Sequence, residues 1–233
     1  MHFYPLIFIV IFWLVALPLI AMVEKRLVWP YVREGEAPPD ILPARNDYGN
    51  AVAAAMAGLE FRQIGTFADG KGKLYRIRYE FYRSPTGDVI AMVGTGTIAS
   101  IPLQATWLYT LMNNDRVYVT VDHQNAVTTD LTGMVNESLV AGVGLVALLS
   151  AHRVRFAQSS GMVKSFSNTD PLGEFKVYLE DRVRRLHALG YVTFLNPDRT
   201  GWRYSVKGAL AISTRQYLTG LRRAVVPDKV RSA

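Results

Sequence analysis

The sequence predicts an α+β protein. It has an N-terminal single transmembrane helix, an antiparallel β-meander of about five strands with a packed helix, and a mainly helical C-terminal subdomain with a short β-hairpin. Three observations predict this. Phe3 to Val23 carries no charged side chain, and a helix that crosses a bilayer needs about 20 mostly apolar residues. From Phe61 to Asp122, short runs alternate between apolar and polar residues and are separated by turn residues, the period of half-buried strands. From Glu174 onward the apolar period becomes that of amphipathic helices.

The first element is an uncleaved anchor over residues 1–28. Nothing basic but the terminal amine precedes the run, the run is longer than the core of a signal peptide, and Ala21-Met22-Val23 is a poor cleavage site. Pro18 removes one interior backbone bond and kinks the last turn. Trp29 and Tyr31 follow at headgroup depth. His2 precedes the run, whereas Lys25, Arg26 and Arg33 follow it. The positive-inside rule therefore places the N-terminus outside and the C-terminal domain in the cytoplasm. The absence of cysteine agrees with a reducing compartment, and the sequon Asn136-Glu137-Ser138 is then a chance occurrence.

Residues 29–45 form a Pro-rich linker with Pro30, Pro38, Pro39 and Pro43, an extended spacer that holds the body off the membrane. Removing residues 1–28 is expected to release a soluble domain.

The α+β domain, 46–158, begins with a helix from Asp47 to Leu59, capped by Asn46 or Asp47 and rich in alanine. Five strand-like runs follow: 61–67, 74–83, 89–98, 106–112 and 116–122. The second is the clearest, with Tyr75, Ile77, Tyr79 and Phe81 on one side and Arg76, Arg78 and Glu80 on the other. The joins carry Asp69-Gly70, Pro85-Thr86-Gly87 and Asn113-Asn114, and short joins imply antiparallel neighbours. An uncharged stretch then predicts a buried helix over 137–151, capped by Asn136. In the subdomain 159–233, amphipathic helices are expected over 174–189 and 205–225, with short strands at 191–195 and 202–204 between them.

Charge divides unevenly. Residues 1–45 are neutral, 46–133 carry −1, and 134–233 carry +8 of the net +7. A one-sided basic region on a tethered chain points to an anionic partner, either lipid headgroups or nucleic acid.

Motifs for chemistry are weak. Gly65 to Lys71 has P-loop spacing as far as the lysine, but Gly72 stands where the magnesium-binding hydroxyl belongs, and the strand context predicts a hairpin. Gly94-Thr95-Gly96 lacks the third glycine of a dinucleotide site. The four histidines are scattered, Asp122-His123 fits a strand-end hydrogen bond, and Ser159-Ser160-Gly161 reads as a loop. Glu60, Glu80 and Asp130 come together only if the fold brings them. No catalytic, cofactor or metal residue is expected.

Leu189 to Val192, Trp202 to Tyr204 and Ser205 to Gly208 follow the order helix, strand, turn, strand, Ser-x-x-Gly, helix. This order resembles the second half of a winged-helix domain over about fifty residues. The resemblance implies that Arg182, Arg184, Arg185, Arg199 and Arg203 contact phosphates.

The function expected first is a membrane-anchored interaction or structural protein, an accessory subunit of a membrane complex whose partners are the bilayer and a protein. The alternative is a membrane-tethered nucleic-acid-binding protein using the winged-helix-like region. The third is an enzyme whose site is assembled from scattered residues.

Overall fold

The computed structural model describes residues 15–38, 40–71, 75–98, 100–122, 130–140, 142–159 and 161–225. Among them are five helices and eleven strands, a mixed α+β fold. Most of Phe3–Val23 lies outside the described residues. Among the described residues no helix is long and apolar enough to cross a membrane. What is described of that segment is a short helix, α1 (Leu17–Val23).

The chain divides into two compact units, 30–126 with 134–178, and 1–29 with 127–133 and 179–233. In the first, a helix α2 (Asp47–Gly58) forms where expected, and Asn46 caps it by accepting from the Gly49 amide at 2.9 Å. The strands are β2 (Val32–Arg33), β3 (Arg62–Lys71), β4 (Tyr75–Arg83), β5 (Ile90–Ile98), β6 (Ile101–Met112), β7 (Val117–Asp122) and β8 (Val135–Leu139). They pair in sequential order, and β9 (Val163–Lys164) adds to β6. All pairs are antiparallel except β7–β8, which is parallel.

The expected five-strand antiparallel meander is therefore the centre of a larger, mixed sheet. The buried helix expected over 137–151 is corrected. Val135–Leu139 is a strand whose residues pair in register with Val117–Val121. Gly142, at φ +74, follows in the left-handed region. The helix α3 (Leu145–Ala157) then starts behind Gly144. Residues 65–71, read against a P-loop, are paired strand throughout, and Gly94 to Gly96 likewise lie in β5.

One face of this sheet is covered by α2 and α3 over Met56, Phe61, Tyr82, Val93, Leu108 and Leu148. Within the same unit, rings of Tyr31, Phe67, Tyr79 and Phe81 meet edge to face, with Tyr31 4.9 Å from Tyr79 and 5.4 Å from Phe81. Tyr31 and β2 belong to the segment expected to be a spacer, and that stretch is instead built onto the sheet. Glu80, placed by alternation on a polar outer side, is buried with Tyr82.

The second unit contains α1, β1 (Arg26–Leu27), the C-terminal half of α4 (Pro171–Ala188), β10 (Val192–Phe194), β11 (Gly201–Tyr204) and α5 (Val206–Val225). Helix α4 stops in a glycine motif. Gly190 has φ +74, its amide bonds the His187 carbonyl, and the Tyr191 amide bonds that of Leu186. The hairpin β10–β11 is expected from sequence, but β1 is not. It pairs antiparallel with β11 and makes a three-stranded sheet of order β1-β11-β10. Its Arg26 guanidinium sits over the rings of Trp202 and Tyr204.

The core joins Ala21, Val183, Leu186, Val192, Trp202, Tyr204, Ala209 and Ile212. The end of the apolar segment is thus part of a folded interior. Truncation at residue 28 would remove Ala21, Met22 and β1 from that interior and so would not release an intact domain.

Candidate functional site

The basic helix–hairpin of the second unit is the place where sequence and structure meet. Ser205 opens α5. Its hydroxyl donates to the Gly190 carbonyl at 2.6 Å and accepts from the Gly208 amide at 3.1 Å. Gly208 has to be glycine, because a Cβ there would stand 1.9 Å from the Tyr191 carbonyl oxygen. Lys207 donates to the Leu189 carbonyl at 2.8 Å and covers the Tyr191 ring. The Ser-x-x-Gly element therefore locks the start of α5 onto the end of α4.

The five arginines separate by environment. Arg182 is drawn inward, 3.5 Å from the Asp130 carboxylate, whose side chain is 3% exposed. Asp130 also accepts from the Thr132 hydroxyl at 2.6 Å and from the Gly133 amide at 3.0 Å. Arg182 is thus structural. Arg184 is half-exposed and pairs with Glu180 and Asp181 on its own helix, contacts worth roughly 0–1 kcal/mol at a surface. Arg185 is exposed, and Arg203 is exposed opposite Thr193 on the hairpin. Arg199 occupies the hairpin tip at φ +58.

One chain of contacts links helix to tip. His187 is three residues after Arg184, so the two share a helix flank. The His187 ring lies 4.9 Å from that of Phe194, and the Arg199 guanidinium lies 5.7 Å from the same Phe194 ring. His187 and Arg199 therefore flank Phe194, and Arg184, paired with Glu180 and Asp181, lies one turn before His187 on α4. Such a surface can hold an anionic, planar or phosphorylated group. The winged-helix resemblance singled out Arg184 and Arg199. It missed His187 and Phe194, although the i, i+3 spacing to Arg184 was visible.

A left-handed backbone is unfavourable for a residue with a side chain, and glycine there is the stable choice. Arg199→Gly is therefore expected to leave thermal stability unchanged or to raise it by up to about 1 kcal/mol. It should also lower the salt concentration at which the protein elutes from a polyanion column. A drop in melting temperature would show that the stack on Phe194 outweighs the backbone cost.

In the sheet unit two buried polar centres stand out. His152, fully buried, bonds Thr110 through Nε2 at 2.9 Å and Thr120 through Nδ1 at 2.8 Å. The Thr110 hydroxyl donates to the Asp88 carbonyl at 2.8 Å, so it accepts from His152, and Nε2 carries the ring proton. Thr120 then donates to Nδ1 while accepting from Arg155 at 3.0 Å. Every polar atom is satisfied by the neutral imidazole. Burial above all, and then the Arg155 charge, push His152 down to about 3.

The second centre is the Glu80 carboxylate. It accepts from Arg45 at 2.5 and 2.9 Å, from Arg78 at 3.0 Å and from Tyr82 at 2.9 Å. Burial raises its pKa, but these donors together hold it below the usual range. The imidazole and the carboxylate are both buried, and their bonds tie together elements of the sheet unit.

A polar cleft of about 300 Å³ near the paired Arg62 and Arg83 is lined further by Ser84, Asn168 and Thr169, at the lower limit of ligand pockets. Arg83 is already engaged with the Phe166 carbonyl at 2.8 and 3.1 Å. Asp122 accepts from the Gly142 amide at 2.9 Å, and His123 lies outside the described residues. Among the described residues no group of three or more His, Asp or Glu is arranged to hold a metal ion. Comparison with protein-family models, with curated proteins and with solved structures finds no match for this chain.

Proposed function

We propose that this chain is a membrane-anchored binding protein whose basic C-terminal unit holds an anionic partner at the cytoplasmic face, as an accessory part of a larger membrane complex. The reading rests on the uncharged length of Phe3–Val23 and on the exposed cations of the C-terminal unit, while Ala21, near the end of that segment, is buried in the core of the same unit. Whatever holds that segment also holds the basic surface, with no free tether between them. The exposed cations Arg184, Arg185, Arg199 and Arg203 supply the charge.

A C-terminal fusion reporter tests the orientation. Activity that requires the cytoplasm is the expected result, and a signal from the opposite side refutes the arrangement. Charge reversal at Arg184 and Arg199 together should lose the co-purifying partner while hydrogen exchange in β10, β11 and α5 stays unchanged. Retention of the partner refutes the basic surface.

A second reading, a membrane-tethered nucleic-acid binder, is favoured by the strand order β1-β11-β10 beside a preceding helix, which extends the winged-helix resemblance by one strand. It predicts affinity for duplex DNA that falls steeply and linearly with the logarithm of salt concentration. Docking on a protein, which buries apolar surface, is much less sensitive to salt.

A further inference from the structure

Two arginines stand opposite each other on neighbouring strands of the sheet unit. Arg62 of β3 pairs directly with Arg83 of β4, and like charges in that position destabilise a sheet. Both line the polar cleft of about 300 Å³, and no carboxylate lines it with them. Among the described residues neither arginine forms an ion pair. Asp170, Glu174 and Asp88, in the segments that border the cleft, are engaged elsewhere. They accept from the Gly173 amide at 2.9 Å, from the Ser167 amide at 3.2 and 3.3 Å and from the Ser84 hydroxyl at 2.6 Å. Glu60, two residues before Arg62, is exposed and forms no ion pair with it.

The two cations are held differently. Arg83 is fixed: Nε and Nη2 donate to the Phe166 carbonyl at 3.1 and 2.8 Å, and Nη1 donates to the Ser84 carbonyl at 3.2 Å. Gly87 lets the guanidinium lie against the turn, because a Cβ there would stand 2.3 Å from Nη2. These bonds use three of the five N–H donors of a guanidinium. Arg62 is exposed and makes no hydrogen bond among the described residues. Beside it the β3–β4 register slips between Gln63 and Gly65. Such a bulge re-aims side chains, and Gln63 and Ile64 both line the cleft. On the far wall Asn168 and Thr169 are exposed, and neither side chain is hydrogen-bonded among the described residues.

We infer that this cleft binds a small phosphate monoester, with Arg62 and Arg83 on the phosphate. Two cations without a carboxylate between them match a group that carries about −1.5 to −2 charge at pH 7, and guanidinium forks suit phosphate oxygens. The Asn168 amide and the Thr169 hydroxyl supply neutral donors. Ile64, Pro85 and Pro171 give apolar wall for a short organic part. The volume, at the lower limit of ligand pockets, restricts that part to a few atoms. Every one of these residues belongs to the sheet unit, so the site is independent of the anchoring proposed above.

The test titrates the full chain in a non-ionic, phosphate-free detergent with inorganic phosphate, followed by phosphorus NMR line broadening. Saturable binding is expected, with displacement by glycerol 2-phosphate and by sulfate but not by equal acetate. Arg62→Gln, which disturbs no contact of the folded chain, should weaken binding at least about tenfold. Asn168→Ala, on the exposed loop, should weaken it about two- to tenfold. The combined Arg184→Gln and Arg199→Gln variant keeps the C-terminal basic surface out of the reading and should bind as the parent does.

Absence of saturable binding overturns the inference. So does binding that Arg62→Gln leaves intact, and a loss confined to the Arg184 and Arg199 variant would place the phosphate on the C-terminal unit instead. Displacement by acetate as readily as by sulfate would show a monoanion site, and failure of glycerol 2-phosphate to compete would show that no ester fits. Either result overturns the assignment.

Discussion

Acidification from pH 7 to pH 4 is expected to destabilise the sheet unit by about 3 kcal/mol through His152 alone. The folded imidazole, pushed down to about 3, stays neutral where the unfolded one takes up a proton. Because the folded pKa lies below the unfolded value, the contribution is fully present above about pH 6.5. It is then lost as pH falls toward about 3, at roughly 1.4 kcal/mol per pH unit. Burial is the main reason, and the hydrogen bonds agree with it. A second ring proton would sit on Nδ1 facing a Thr120 hydroxyl that already accepts from Arg155.

Urea denaturation in mild detergent as a function of pH measures the slope. His152→Gln should flatten it between pH 6.5 and 4, at a cost of about 1–3 kcal/mol at pH 7 for the hydrogen bonds disturbed. An unchanged slope in the variant would mean that other groups set the acid sensitivity.

Glu80→Ala is expected to destabilise the same unit by about 3–5 kcal/mol at neutral pH, the cost of leaving a buried ion pair without one partner. The carboxylate side chain is 3% exposed, and the Arg78 side chain is 14% exposed. Removing the carboxylate takes the acceptor from Arg45, Arg78 and Tyr82 at once. Burial would raise the pKa of Glu80, but these donors outweigh it. Its contribution is therefore present above the unfolded carboxyl value, near pH 4.3, and is lost as pH falls through the depressed folded value. This window overlaps that of His152 only below about pH 4.3, so the loss between about pH 6.5 and 4.3 isolates His152. A loss under about 1 kcal/mol in Glu80→Ala would show that water replaces the carboxylate.

Local pattern explains which parts of this architecture were legible. The alternation in 74–83, the Asn46 cap and the amphipathic period after Glu174 each depend on neighbours within a few residues, and β4, α2 and α4 formed there. The miss at 137–151 has the opposite origin. Val135–Leu139 becomes a strand because β7 offers it a parallel edge, a pairing no local period encodes.

The apolar run Phe3–Val23 was legible as a segment. The place of Ala21 in a core with Val183, Ile212 and Trp202 joins residues far apart in sequence, and so does the pairing of β1 with β11. His152 was passed over because Thr110 and Thr120 come from two different strands. At the basic surface, the winged-helix resemblance pointed to the cations, but the Phe194 floor depends on how the hairpin turns back on α4. Arg182 was grouped with them because its buried partner, Asp130, is distant in the chain.

Under the proposed anchoring, the end of the apolar segment is both the exit from the bilayer and part of the C-terminal core. The most direct measurement places a protease site between Glu36 and Ala37, both exposed or partly exposed, in a full chain tagged at Met1. Membranes are isolated, cleaved and dissolved in mild detergent. Capture of the tag should retrieve the fragment beginning at residue 37, held by the packing of Ala21 and Met22 and by the β1–β11 pairing. Recovery of that fragment in the unbound fraction would contradict the packing of Ala21 and β1 in the C-terminal core, and recovery of the uncut chain in the soluble fraction before any detergent would contradict the proposed anchoring.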